Sequence, residues 1–129
     1  MRKAGMSDDP EIFFFDTYAF FELIRGNPKY ERFQHVIAIT TVFNLAELNY
    51  GLKKELDIAI ADTLTEKYAP FLVAVDVDDI TKAMTLRLKH KQFSIPDAIG
   101  YAVARRHNIP FLTGDDDFKD MPYVEFVKK

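Results

Sequence analysis

Short apolar segments alternate with longer amphipathic ones along this chain, and this alternation is the feature that most limits its fold. The short segments are rich in β-branched and aromatic residues and have the length of buried strands. Helices that cross over between successive strands give parallel pairing. We therefore predict a three-layer α/β/α fold with a mostly parallel central sheet of about five strands. The predicted strands are residues 11–15, 36–40, 71–75, 109–113 and 123–127.

Residues that favour helix ends indicate where the helices begin and stop. Gly26 should end the first helix, and Asn27 followed by Pro28 should begin the next. Thr41 should act as the N-cap of a third helix, and Asn108 should end the last one in a left-handed conformation. The predicted helices cover about residues 17–25, 28–35, 42–54, 57–68, 78–91 and 95–107.

The length of 129 residues fits one domain. We expect residues 1–10 to form a flexible leader and residues 11–129 to form a single domain. The leader contains Arg2 and Lys3 but lacks the apolar stretch of a secretory signal. No apolar run reaches the roughly 18 residues of a membrane-spanning helix, so no membrane association is expected.

Cysteine is absent, which excludes disulfides, thiolate nucleophiles and cysteine-bound zinc. This composition is compatible with a reducing compartment, and a cytoplasmic location is the expectation. The formal charge of −3 comes from 17 basic and 20 acidic residues, which is not the overall charge of a nucleic-acid binder. An enzyme with this balance that acts on nucleic acid would need local basic patches and a metal ion.

Carboxylates are concentrated at one edge of the predicted sheet. Asp16 directly follows the first strand, and the run Asp115-Asp116-Asp117 comes after the strand 109–113 and Gly114. Glu47 and Asp97 lie in the first or second turn of helices whose N-termini face the same edge. Because ligands bind at the carboxyl ends of parallel strands, Asp16, Glu47, Asp97 and an acid of the run 115–117 are predicted to converge in one cleft.

Carboxylates that lie close together repel one another, and a cation relieves that repulsion. An all-oxygen site without thiolate suits Mg²⁺ or Mn²⁺. One or two such ions would fit, and a pair about 3.5–4 Å apart could activate a water and stabilise the leaving oxygen during phosphodiester hydrolysis. The residues therefore predict metal-assisted phosphoester hydrolysis.

Each acid also has a purely structural interpretation. Asp16 could cap the helix that follows it, and Asp97 could complete a capping box with Ser94, three residues before it. The acids at 115–117 could form a solvated turn. Glu47 is the hardest to explain structurally, because an acid on an apolar helix face needs a partner or a function. The functional interpretation therefore rests on the joint placement of the four.

The ordered motifs resemble those of PIN domains, and in particular the single-domain VapC toxins of prokaryotic toxin–antitoxin pairs. The resemblance covers roughly residues 11–127 and implies a PIN-like nuclease domain with Mg²⁺- or Mn²⁺-dependent endoribonuclease activity. It assigns catalytic and metal-binding roles to Asp16, Glu47, Asp97 and Asp115, and a further metal-binding role to Asp117. The motifs are Asp16-Thr17, AELNYG at 46–51, IPDAI at 95–99, and TGD at 113–115 followed by Phe118.

The same resemblance implies further contacts and partners. Thr113 corresponds to the family's hydroxyl neighbour of the acids and is a candidate substrate contact. Tyr18 stands where many members have Ser or Asn, and its ring could stack on a base. Kinship further implies an RNA substrate, a homodimer and a small antitoxin whose C-terminal segment fills the cleft.

Other residues offer weaker signals. Arg25 is the favoured basic contact to substrate, because it ends the helix that begins beside Asp16. The three histidines lie at predicted helix ends, where they complement the helix dipole. The glycines are scattered, which argues against a nucleotide-cofactor enzyme, and Ser94 has no evident His–Asp partner for a serine hydrolase.

The leading hypothesis is thus a metal-dependent endoribonuclease that acts as the toxin of a VapBC-type pair. A housekeeping nuclease of RNA processing or decay is an alternative, as is a catalytically inactive PIN-like binding protein. A phosphatase or a DNA nuclease could use the same cleft, since nothing in the sequence reads the 2′-hydroxyl.

Overall fold

The computed structural model describes residues 11–129 as a four-stranded parallel sheet, in the order β2-β1-β3-β4, with helices on both faces. The expected leader, residues 1–10, lies outside the described residues. The strands are β1 (Ile12–Phe15), β2 (Ile37–Ile39), β3 (Phe111–Thr113) and β4 (Val124–Phe126). The α-helices are α1 (Thr17–Ile24), α2 (Val42–Glu55), α3 (Ile58–Glu66), α4 (Val77–Lys89) and α5 (Ile95–Arg106).

Two apolar clusters lie on opposite faces of the sheet, because successive side chains of a strand point in opposite directions. Phe13 and Phe15 of β1 belong to the cluster that contains residues of α1, α2 and α3. Phe14 belongs to the other cluster, with residues of α4 and α5. Burial on both faces explains why the strands read as continuous apolar runs. The expected three-layer α/β/α arrangement with a parallel sheet is confirmed.

The strand predicted over residues 71–75 is absent from the described part of the chain. A 3₁₀ helix, Ala69–Phe71, occupies its beginning, and the N–H of Leu72 bonds back to the carbonyl of Ala69 (3.2 Å). Leu72 forms one isolated parallel bridge with Thr40. Pairing stops there because Thr41 already caps α2. The fifth strand is therefore reduced to a single bridge at the sheet edge.

Most of the predicted helix ends are confirmed. Gly26 has φ +73° and Asn108 has φ 55°, and Thr41 accepts the N–H of Asn44. The segment Pro28–His35 is a 3₁₀ helix rather than an α-helix. The cap of α4 is Asp76, which lies before the predicted start at 78.

The strand order places the predicted site at the centre of the sheet edge. β1 and β3 are neighbours, with Phe15 in register with Leu112. The chain leaves β1 at Asp16, and it leaves β3 through Gly114 to Asp115. A β-carbon on Gly114 would overlap the Val127 carbonyl and the Tyr18 ring. The turn into the acidic loop, residues 115–117, therefore requires glycine. None of the helices within 11–129 combines the length and apolar character needed to cross a bilayer.

Candidate active site

Three of the four predicted acids meet at the carboxyl ends of β1 and β3. Asp16, Asp97 and Asp115 each offer a carboxylate oxygen, and these oxygens lie within 4.8 Å of one another. They come from the end of β1, the first turn of α5 and the loop after β3. These three residues are far apart in the sequence. The parallel sheet and the N-terminus of α5 bring them together.

Asp16 is the most buried member of this trio, with 2% of its surface exposed. Its Oδ2 accepts a hydrogen bond from the hydroxyl of Thr113 (2.7 Å), while its buried Oδ1 has no partner among the described residues. Its side chain also makes no capping bond to α1. Burial raises the pKa of Asp16 well above its ordinary value, and the nearby Asp97 carboxylate adds to the rise. Asp16 therefore occupies the N-cap position of α1, but its side chain takes no part in capping the helix.

Asp97 does two things at once. Its Oδ2 accepts the backbone N–H of Ser94 (3.0 Å) and its own N–H donates to the Ser94 hydroxyl (3.1 Å), which completes a capping box. A carboxylate has a second oxygen, which remains available to the cluster. Burial raises the pKa of Asp97; the bonds from Ser94 oppose that rise, and the charge on Asp115 adds to it.

Glu47 lies on the wall of the same cleft but outside the trio. Its Oε1 accepts a hydrogen bond from the Thr17 hydroxyl (3.0 Å), which in turn accepts one from the buried Asn44 side chain (3.3 Å). Burial raises the pKa of Glu47, the Thr17 bond opposes the rise, and Asp97 and Asp115 contribute to it. The sequence reasoning missed the roles of Thr17 and Asn44, although a polar Asn44 between Phe43 and Leu45 was a usable signal.

The three acids of the acidic loop have different surroundings. Oδ1 of Asp115 accepts the N–H of Asp117 (2.9 Å), which turns the chain into a short 3₁₀ helix. Asp116 forms an ion pair with Lys128. Asp117 is exposed and lies beside His90 and Gln92 in a different depression. A metal-binding role for Asp117 stays a prediction.

The three predicted substrate contacts occupy different depths. Thr113 is fully buried, and its hydroxyl links Asp16 to the N–H of Asp115 (3.1 Å). Tyr18 lines the cleft, and its hydroxyl accepts the N–H of Lys129 (3.0 Å). Arg25 is half-exposed and pairs with Glu22 (2.9 Å) and with Glu55 (3.4 Å) at the cleft rim. Contact of any of them with substrate stays a prediction.

One further wall of the cleft is aromatic and basic. The cleft has a volume of about 540 Å³, within the range of about 300–1,000 Å³ of ligand sites. Phe21, Tyr50, Gly51 and Lys54 line it together with the acids. The arrangement has room for a nucleotide-sized group beside the carboxylates.

A comparison with protein families decides which family this architecture belongs to. The model of the PIN domain matches residues 13–123, which is most of the chain and includes all four acids. The chain belongs to the PIN domain family.

Solved structures support this PIN domain assignment at the level of the fold. A toxin–antitoxin complex from Klebsiella pneumoniae matches with a TM-score of 0.73 and 21% identity, covering 90% of this chain and 98% of that chain. VapC20 of Mycobacterium tuberculosis, a sarcin-ricin loop cleaving toxin, matches with a TM-score of 0.73 and 20% identity over 88% and 97% of the two chains. VapBC-5 of the same organism matches with a TM-score of 0.66 and 26% identity over 93% and 100%. The resemblance to VapC-type PIN domains is therefore confirmed, while a search of curated proteins found no match.

The donor set of this PIN domain fits a divalent cation. Asp16 keeps a buried oxygen that has no partner among residues 11–129, and three carboxylate oxygens lie within 4.8 Å of one another. An unpaired buried acceptor is costly unless something binds it. Carboxylates without thiolate or imidazole favour a hard cation such as Mg²⁺ or Mn²⁺ over zinc. The residues that could hold it are Asp16, Asp97 and Asp115.

Proposed function

We propose that this PIN domain is a metal-dependent endoribonuclease that hydrolyses RNA phosphodiester bonds. The observation that carries the proposal is the trio Asp16, Asp97 and Asp115, in which a buried oxygen of Asp16 has no partner in the described part of the chain. Among the described residues, the groups that donate hydrogen bonds to these three carboxylates are neutral, so they do not offset the repulsion between the acids. A Mg²⁺ or Mn²⁺ ion would offset that repulsion.

Each residue of the cleft has a proposed role. Asp16, Asp97 and Asp115 hold one ion, and Glu47 and Asp117 are the candidates for a second. When bound, the metal polarises a phosphate oxygen and lowers the pKa of a water. Thr113 orients Asp16 and Asp115, and Thr17 orients Glu47. The ordered hydrogen bonds keep the carboxylates in place before substrate arrives, which is how enzymes reduce reorganisation during reaction.

We further propose that the chain is the toxin of a VapBC-type pair. The support is its similarity, over about nine-tenths of its length, to solved toxin–antitoxin complexes. A small antitoxin protein is then the expected partner, a homodimer the expected assembly and the cytoplasm the expected location. VapC20 cleaves the sarcin-ricin loop, which makes structured RNA loops a reasonable first substrate to test.

Purified protein and RNA test the nuclease proposal. We expect cleavage of an RNA oligonucleotide in Mg²⁺ or Mn²⁺ and none in EDTA. Asp97→Asn should reduce the rate by more than about a hundredfold, because even outer-shell partners of a metal contribute about 10–100-fold. Asparagine keeps an oxygen that can accept the Ser94 N–H, so the fold should survive, as circular dichroism can check.

The matched control is Asp78→Asn, which removes an exposed acid of α4 that pairs with Lys82. Its rate should equal that of the wild type. Full activity in Asp97→Asn, or undiminished activity in EDTA, would contradict the proposal.

In cells, expression of the wild type but not of Asp97→Asn should stop growth if the nuclease is a toxin. An active nuclease without this effect would indicate RNA processing instead.

A further inference from the structure

We infer that one face of α2 forms a nucleotide-binding subsite, in which Tyr50 stacks on the base beside the scissile phosphate and Lys54 contacts a neighbouring phosphate. The inference rests on the proposed ribonuclease function and adds the residues that would select the substrate. It requires the base beside the cut to be unpaired.

The spacing of residues along α2 supports this subsite. Three residues follow Glu47 by three, four and seven positions, so they share one face of the helix with it: Tyr50, Gly51 and Lys54. All four line the same cleft as Asp16 and Asp97. With a rise of about 1.5 Å per residue, Tyr50 and Lys54 lie about 4.5 Å and 10.5 Å from Glu47 along the helix axis. Tyr50 and Lys54 are therefore about 6 Å apart along the axis, close enough to contact a base and a neighbouring phosphate of the same strand.

Tyr50 presents a free aromatic surface to this cleft. It is 67% exposed, although the helix buries Leu48 and Leu52 on another face. The Nζ of Lys54 lies 4.7 Å from the centre of its ring. Exposed aromatic rings with an adjacent cation are the elements that single-stranded nucleic-acid sites use, because every base has a face on which a ring can stack.

Gly51 shapes the surface beside Tyr50. Glycine in a helix costs about 1 kcal/mol relative to alanine, so its presence needs a reason. A β-carbon at this position would overlap the ring of Phe21. Gly51 therefore lets Phe21 approach α2 and gives the cleft a second aromatic surface next to Tyr50.

Charge supports the assignment of Lys54. The cleft is lined by five acids, which repel a phosphate chain: Asp16, Glu47, Glu55, Asp97 and Asp115. Of the residues that line it within 11–129, Lys54 is the one that carries a positive charge. A lysine one turn beyond Tyr50 can attract a phosphate that the acids repel. A base already stacked in a duplex cannot also lie on Tyr50, and this excludes a fully paired substrate.

Fluorescence tests the stacking directly, because the chain has no tryptophan. Tyr50→Trp would place a single indole in the subsite, in a protein that also carries Asp97→Asn to prevent cleavage. We expect a single-stranded RNA oligonucleotide to quench its emission, and the same sequence in a duplex to leave the emission unchanged. The control is Tyr123→Trp. Tyr123 is exposed to a similar extent (63%), and the Arg105 guanidinium lies 3.6 Å from the centre of its ring. Tyr123 is not among the residues that line the cleft.

Steady-state cleavage of the same oligonucleotide gives the second readout. Tyr50→Ala should raise KM by at least about fivefold, the lower end of the effect of losing one stacked base, with little change in kcat. Tyr50→Phe should restore most of the affinity, because the ring remains. Lys54→Ala should also raise KM, whereas Lys53→Ala should not, since Lys53 pairs with Asp62 outside the cleft.

The outcomes separate this inference from the proposed function. If the wild type cleaves RNA with metal and Asp97→Asn does not, while the Tyr50 variants behave like their Tyr123 counterparts, the subsite is overturned and the ribonuclease stands. Equal quenching by duplex RNA would overturn the requirement for an unpaired base. If the wild type neither cleaves nor binds the oligonucleotide, both proposals fail together.

Discussion

At the scale of single residues, structural and functional interpretations of an acid turn out not to exclude each other. Asp97 completes the capping box of α5 with one oxygen and joins the acidic trio as well. The side chain of Asp16 makes no capping bond, and its second oxygen has no partner within the described chain. Because a carboxylate has two oxygens, the capping geometry at Asp97 is no evidence against metal binding.

Thr113 is the residue whose removal should disturb the trio most without removing a charge. Thr113→Val keeps the shape but deletes the hydroxyl that donates to Asp16 and accepts from Asp115. A buried carboxylate oxygen then loses its donor, which should lower the free energy of unfolding by about 1–3 kcal/mol. Urea denaturation in EDTA measures this loss.

The control for Thr113→Val is Thr85→Val, because the Thr85 hydroxyl is exposed and bonds only to its own helix, at the Thr81 carbonyl. Its stability should stay within about 0.5 kcal/mol of the wild type. Equal losses in the two variants would show that the Thr113 hydroxyl has no special role in holding the acids.

At the scale of elements, an ion pair fixes α4 against α5 on the face of the sheet away from α1. Arg106 donates hydrogen bonds to both oxygens of Asp79 (2.7 and 2.9 Å) and to the carbonyl of Ala74 (2.9 Å). Asp79 is 2% exposed. The hydrogen bonds from Arg106 lower the pKa of Asp79 below its ordinary value, and burial opposes them. Arg106 therefore stabilises the fold.

This ion pair predicts a pH-dependent stability. The folded-state pKa of Asp79 is depressed, so its contribution is present above the unfolded-state value, about 3.9, and is lost as the pH falls through the folded-state value. Asp79→Asn should lower the free energy of unfolding at pH 7 by about 1–3 kcal/mol. The difference from the wild type should shrink below about pH 4. Urea denaturation across pH 2.5–7 would measure both.

The comparison for this pair is Asp78→Asn, on the same helix and exposed. Surface pairs contribute about 0–1 kcal/mol, so this variant should differ little from the wild type at any pH. A constant difference between Asp79→Asn and the wild type down to pH 2.5 would mean that the pair acts through packing rather than charge.

At the scale of the whole molecule, metal binding and stability should be linked. A ligand that binds only the folded state at ten times its Kd adds about 1.4 kcal/mol. Saturating Mg²⁺ or Mn²⁺ should therefore raise Tm by several degrees. Thermal denaturation in metal and in EDTA measures the shift, which Asp97→Asn should reduce and Asp78→Asn should retain. An unchanged Tm of the wild type in both metals would count against the site.

Much of the architecture could be predicted because its signals are local. Buried strands of a parallel sheet are apolar on both faces, as 12–15 and 111–113 are, and caps such as Thr41 and Ser94 act within their own turn. The prediction of a strand at 71–75 was wrong because a strand needs a neighbouring strand with which to pair. The segment beside it turns into α2 after Thr40. An apolar, β-branched segment does not contain that information.

By itself, the sequence determined the three-layer α/β fold, most helix ends and the edge of the sheet at which the acids collect. Periodicity, capping and the crossover rule act on neighbouring residues or on element order, and all are visible in the sequence. Only the tertiary structure decided that Asp16, Asp97 and Asp115 form a trio while Glu47 and Asp117 lie outside it. It also decided that Thr17 and Thr113 hold the acids, and that Tyr50 and Lys54 face the same cleft. These facts depend on distances of a few ångströms between elements far apart in the chain, which the packing of α2 and α5 against the sheet sets.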